Sequence, residues 1–265
     1  MTQSVQSSIV TDFHSHVVRS SPLQMAQSAQ ERGLRILGLS EHVFQMSEAR
    51  PLLTHMPEEG PLLPYAMYIE RVREAAKQTG LDVRLGLEVD FIPDKNADIQ
   101  HSLQSYPWDF LIGSVHEIDG VLFERISVTS REQGEQLWLR YFQLLHGAVT
   151  SGYFSFVSHP VRMHSKNAYL PASFDEQLEQ LAAEATRQNI ALELNGYDVL
   201  SYPNAVRRLA RACKLHNTPI SIGSDAHNPG QVAQAHLQTL EIMREAGLTT
   251  VRIWHRREIE EYHVR

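Results

Sequence analysis

Six histidines and two carboxylates in this chain have the types and positions that metal chemistry needs: His14, His16, His42, Glu88, His116, His159, Asp225 and His227. Each lies at the end of, or just after, an apolar run of strand length. The first run is Ser8-Ile9-Val10, which leads into Asp12-Phe13-His14-Ser15-His16. Two histidines one residue apart on an extended chain face the same side and offer two imidazoles to one ion. Imidazole and carboxylate ligands suit Zn, Mn or Fe. Eight such groups exceed one tetrahedral site and match two or three divalent ions that share a carboxylate. Clustered ions of this kind clamp a phosphoryl group, neutralise its oxygens and supply hydroxide for in-line attack.

The elements that must position these ligands are legible as an alternation. Leu34–Ser40, Val83–Val89, Trp108–Val115, Tyr153–Ser158, Ile190–Leu194 and Pro219–Gly223 follow the first strand, with helical spacing between most neighbours. Ser21-Pro22 reads as a cap and first helical position, and the following helices are expected over Tyr65–Gln78, Asn96–Gln104, Glu132–Thr150, Phe174–Gln188, Tyr202–His216 and Val232–Ala246. Seven strand–helix alternations predict a parallel sheet. Six of the seven strands end in His, Glu or Asp, and such ends converge only at the C-terminal mouth of a barrel. Residues 43–64, with four prolines, form a long excursion suited to a wall or lid, and Thr249–Trp254 adds an extra strand before a charged tail.

No repeat or Gly/Ser linker divides the chain, so residues 1–265 are expected to form one domain. A net charge of −7 argues against a broad surface for nucleic acid or anionic membrane. No apolar run approaches the ~20 residues of a membrane span. The polar start, Met1–Ser8, lacks a secretory pattern, and the lone Cys213 forms no intrachain disulfide, so a reducing, cytoplasmic setting is expected. The remaining histidines are expected to be solvated or packing residues, with His164 bordering the mouth.

The ordered motifs D-x-H-x-H (Asp12–His16), E-H (Glu41-His42), G-L-E (Gly86–Glu88), G-S-V-H (Gly113–His116), H-P (His159-Pro160) and G-S-D-A-H (Gly223–His227) resemble the PHP (polymerase and histidinol phosphatase) superfamily. The run Leu-Ile-Gly-Ser-Val-His, Ile118-Asp119-Gly120 and Leu192-Glu193-Leu194-Asn195 are similar to its histidinol-phosphatase branch. The resemblance implies a distorted seven-stranded (β/α) TIM-like barrel with a trinuclear site. It assigns His14, His16, Glu88 and Asp225 to one metal. Glu88, as bridge, serves a second ion with His116 and His159, and His42 with His227 serve a third. Asp12 becomes the residue behind the ligands that orients a histidine.

Two stretches depart from that pattern. Val17–Pro22 offers only Ser20 and Ser21 where many relatives place a further His or Asp ligand. Gly196–Ser201 is a short connection without the arginine that histidinol-phosphatases often carry there. Arg162 and Lys166 are the candidates for binding phosphate, since a guanidinium matches two phosphate oxygens. Glu88 and His227 are the candidate catalytic residues, with His227 or a water protonating the leaving alkoxide. The expected activity is hydrolysis of a small phosphomonoester, L-histidinol phosphate first, in histidine biosynthesis. A phosphoesterase for another small ester or nucleotide is the alternative, and a non-catalytic metal-binding domain a third reading.

Overall fold

The computed structural model describes residues 9–57 and 60–264; Met1–Ser8, which includes the first residue of the expected first strand, lies outside them. In chain order the strands are β1 (Thr11–Asp12), β2 (Ile36–His42), β3 (Asp82–Asp90), β4 (Phe110–Ser114), β5 (Glu117–Ile118), β6 (Val121–Leu122), β7 (Phe156–Val157), β8 (Ala191–Asn195), β9 (Ile220–Gly223), β10 (Thr250–His255) and β11 (Glu258–His263). Seven of them form a parallel sheet in the order β1-β2-β3-β4-β7-β8-β9. The two edges approach each other beyond β1 and β9. Phe13 N–H donates to Ile222 O at 3.0 Å, Asp225 N–H to His14 O at 2.8 Å, and Ser15 pairs with Ala226. The sheet is therefore a nearly closed barrel, as the strand-end ligands required.

Helices α1 (Pro22–Glu31), α2 (Tyr65–Thr79), α3 (Asn96–Leu103), α4 (Arg131–Thr150), α5 (Phe174–Arg187), α6 (Gly196–Ser201), α7 (Pro203–His216) and α8 (His236–Ala246) connect the strands. Their ends follow local chemistry. Ser21 Oγ accepts from Gln24 N–H ahead of Pro22, Ser130 caps α4 in the same way, and α2 stops at Gly80 in the left-handed conformation. The excursion after His42 contains two single-turn helices, Val43–Gln45 and Arg50–Leu52, and returns through a bridge between Met46 and Leu63.

Three expectations differ in detail. Gly196–Ser201 is helical, because the Asn195 side chain accepts from Tyr197 and Asp198 N–H and nucleates a turn. His236 is buried, not solvated, since α8 begins at that residue against the barrel. The charged tail is the second strand of a hairpin, β10–β11. Two consecutive residues of β10, Ile253 and Trp254, are buried and pack with Phe13, Ile36, Phe110, Ile112, Phe156 and Ala191 in the barrel interior. Trp254 stacks on Phe156 with ring centroids 5.2 Å apart. Arg84 donates to Trp254 O at 3.0 Å, and Asp109 accepts the Arg256 N–H at 2.7 Å, which ties the hairpin across the strand N-terminal ends. Gly86 faces this interior because any Cβ there overlaps the Phe110 ring. With the bottom plugged, the polar residues can meet only at the other end. Among the described residues no helix is long and apolar enough to cross a membrane.

Candidate metal centre

Parallel register brings the ligands together. His42 on β2 is the direct neighbour of Glu88 on β3, so two strand ends deliver an imidazole and a carboxylate side by side. His42 Nδ1 lies 2.8 Å from Glu88 Oε2. Glu88 Oε1 lies 3.3 Å from His14 Nε2, 3.3 Å from His116 Nε2 and 3.1 Å from His159 Nε2. Asp225 Oδ1 lies 3.3 Å from His16 Nε2 and 3.8 Å from His14 Nε2. The rings of His16 and His227 are 4.3 Å apart. All eight expected ligands thus surround one point at the barrel mouth.

Three sets present ligand atoms close enough to share an ion: His14, His16 and Glu88; His42, Glu88 and His116; His16, His42 and His227. The test of fit lies in their bonding. His14 Nε2, His16 Nε2, His42 Nδ1 and Glu88 Oε2 are buried and form no aligned hydrogen bond, although His42 Nδ1 and Glu88 Oε2 lie within ion-pair distance of each other. Buried polar atoms are normally paired, so a converging set of unpaired donors marks a place for a cation. The clusters can bind metal.

The residues behind the ligands fix ring orientation. Glu193 Oε1 accepts from His14 Nδ1 at 2.8 Å and Asp90 Oδ1 from His116 Nδ1 at 2.8 Å. Glu41 approaches His16 Nδ1 at 3.6 Å and accepts the N–H groups of His42 and Val17. Carboxylates are acceptors only, so the Nδ1 atoms carry protons and the Nε2 atoms are left to face the centre. Asp12 differs from its expected place on a ring. It accepts from the backbone N–H of Ser224 and Ala233 at 2.8 Å each and of His14 at 3.4 Å, which joins the first and last motifs through the main chain.

Charge follows burial and neighbours. Burial opposes the charge of His14, but Glu193, Glu88 and Asp225 outweigh it and raise its pKa well above the usual imidazole value. Against the same opposition, Asp225 and Glu41 raise His16 to about 9, and Glu88 and Asp90 raise His116. Glu88 and Asp225 are held well below the carboxylate range, the surrounding cations overcoming burial. Burial lowers His159 to about 3, with Arg162 adding to it, and lowers His227 to about 4, with His16 adding.

A cavity of about 150 Å³ opens on this centre, lined by His42, Glu88, His116, Asp225, His227 and Arg162 and walled by Phe44, Met56, Pro57, Leu122 and Glu124. Arg162 Nε donates to Asp198 Oδ1 at 2.6 Å, and its Nη2 to Asp225 Oδ2 at 2.7 Å and Asn195 Oδ1 at 2.8 Å. Its Nη1 bonds to no described residue. Lys166 is exposed beyond a single-turn helix, Arg162–Ser165, and does not line the cavity. Sequence reasoning missed the supporting carboxylates Glu41, Asp90 and Glu193 and the Arg162 partner Asp198. Their signal was a charged residue inside or beside an apolar strand.

The chain is 29% identical to a probable histidinol-phosphatase of Deinococcus radiodurans, with 97% of this chain and 99% of that protein covered. It is 23% identical to the histidinol-phosphatase of Bacillus subtilis, over 88% of this chain and 97% of that one. Its fold matches histidinol phosphate phosphatase from Lactococcus lactis, solved with zinc, L-histidinol and phosphate, at a TM-score of 0.78, 18% identity, and 97% and 100% coverage. A sequence model of the PHP domain spans residues 12–196, more than half of the chain, and the chain belongs to the PHP domain family.

Proposed function

We propose that the chain is a metal-dependent phosphomonoesterase that hydrolyses L-histidinol phosphate to L-histidinol and phosphate. One observation carries the reading: three overlapping ligand sets, two of them sharing Glu88 and the third linked to them through His16 and His42, open onto a small cavity that also holds a guanidinium. The names of the Deinococcus and Bacillus relatives support the substrate, and the zinc, L-histidinol and phosphate of the Lactococcus structure support both metal and substrate.

His14, His16, Glu88 and Asp225 would hold one divalent ion, Glu88 with His116 and His159 a second, and His42 with His227 a third; Zn, Mn or Fe would suit these donors. Bound there, the ions supply charge neutralisation and activation of water. The protein's own residues do the rest. Arg162, fixed on one edge by Asp198 and Asp225, turns Nη1 to a phosphoryl oxygen. Phe44, stacked on His42 with centroids 4.5 Å apart, and buried Met56 keep bulk water from the ester. In hydrolysis the oxygen of a water bonds to phosphorus and gives up a proton, the bond from phosphorus to the ester oxygen breaks, and the departing alkoxide takes a proton. Of the two sources considered, water fits, because an imidazole nitrogen that coordinates an ion has no proton to give and the other nitrogen of His227, Nδ1, is turned to Asp225 O at 3.0 Å.

Another small phosphomonoester is the second reading, favoured because α6 carries no arginine and, among the described residues, Arg162 alone provides a guanidinium in the cavity. Glu88→Gln tests the reaction itself. Turnover is expected to vanish with the far-UV spectrum unchanged, and near-normal turnover would defeat the proposal.

A further inference from the structure

The cavity has two poles. Its floor holds the ligand histidines and Arg162; its wall is apolar, from Phe44, Met56, Pro57 and Leu122, and among the described residues carries one further carboxylate, Glu124. Glu88 and Asp225 are engaged with histidines and Arg162, whereas Glu124 is exposed and makes no hydrogen bond or ion pair among the described residues. We infer that Glu124 is the specificity residue for a protonated amine on the leaving group of the phosphomonoester. This rests on the phosphatase reading above.

Position supports the role. Glu124 sits on the single-turn helix Phe123–Arg125 that follows the β5–β6 hairpin. The Phe123 N–H donates to His116 O at 2.9 Å, and the buried Phe123 ring packs against Tyr141, centroids 5.4 Å apart. Tyr141 Oη in turn donates to His159 O at 2.9 Å. The turn is therefore registered on the backbone of two ligand residues, which fixes the distance from Glu124 to the phosphate end of the cavity. An ester seated with phosphate on the floor must lead its alcohol along the apolar wall toward Glu124. An amine there gains a charged acceptor; a neutral alcohol leaves it unpaired at no cost, because Glu124 is solvated. A second anion would be repelled.

Two measurements on metal-loaded protein test this. Equilibrium binding of L-histidinol in the presence of phosphate should weaken roughly fivefold in Glu124→Gln and further in Glu124→Lys, the scale of a solvent-exposed ion pair. It should also weaken with added salt. In steady state, the preference for L-histidinol phosphate over p-nitrophenyl phosphate should narrow by a similar factor, through KM and not kcat. Equal binding by wild type and both variants overturns the role of Glu124, as does an equal change in both esters. Binding that discriminates while wild type hydrolyses neither ester supports Glu124 as amine reader and overturns the phosphatase reading instead.

Discussion

His14 Nδ1 and Glu193 Oε1 are 2.8 Å apart, both fully buried, and this contact orients the first candidate ligand of the centre. The same carboxylate accepts the backbone N–H of His159 through Oε2 at 2.9 Å. One side chain on β8 thus orients a ligand from the first motif and anchors another at the end of β7. Glu193→Gln keeps size but replaces one acceptor with an NH₂ group, which cannot serve both partners. Metal affinity is expected to fall about 10–100-fold with the fold retained. Competition with a chromophoric chelator measures it; an unchanged affinity would remove Glu193 from the design.

Proton linkage gives the metal-free and metal-loaded proteins opposite pH responses. His16, raised to about 9, stabilises the metal-free fold below its unfolded value near 6.5 and loses that contribution as pH rises through 9. Glu41, lowered to about 2, contributes above its unfolded value near 4.5 and loses it as pH falls through 2. His159 and His227, lowered to about 3 and about 4, contribute above their unfolded value near 6.5 and lose that contribution as pH falls, so metal-free protein should melt highest near pH 6.5. Metal binding needs neutral imidazoles, so loading displaces protons from His14, His16 and His116 and tightens toward pH 9. Calorimetry in buffers of different ionisation enthalpy counts the protons released. Zero release would contradict the charge assignment.

Arg162→Lys keeps the charge but cannot span Asp198, Asp225 and the cavity together. The variant should raise KM for phosphomonoesters about tenfold or more, the scale of a lost charge-assisted hydrogen bond. Inhibition by inorganic phosphate should weaken in parallel. An unchanged phosphate inhibition constant would place the phosphate elsewhere.

Trp254→Ala opens a cavity among Phe13, Phe156 and Ile253 at the closed end of the barrel. Loss of about 3–5 kcal/mol is expected from urea unfolding, with metal stoichiometry unchanged in the fraction that stays folded. A loss under 1 kcal/mol would mean that the hairpin is a decoration and not a plug.

The ligand set was legible in the sequence because strand ends obey a simple rule. Apolar runs announce the strands, and the polar residue that follows marks the mouth, so His14, His16, His42, Glu88, His116, His159, Asp225 and His227 could be named in advance as candidate ligands, and their side chains meet in one place. The supports were harder to read. Asp90 and Glu193 sit beside apolar residues, and nothing in their spacing says which imidazole they face, since partners come from strands tens of residues away. Asp12 adjoins the histidines in sequence, yet its carboxylate turns to the amides of Ser224 and Ala233, a long-range contact that local pattern cannot specify. The β10–β11 hairpin escaped for a different reason. Its second strand, Glu258–His263, is largely exposed and charged, so only pairing with β10 makes it a strand.

Steady-state hydrolysis of L-histidinol phosphate, beside p-nitrophenyl phosphate, by protein stripped with chelator and then reloaded with a divalent ion is the most direct test of the central claim. The expected result is no turnover when stripped, recovery on reloading and a strong preference in kcat/KM for L-histidinol phosphate. Recovery without preference would retain the metal chemistry and reject the substrate. Turnover that survives stripping, or none of any phosphomonoester after reloading, would contradict the metal-dependent phosphatase itself.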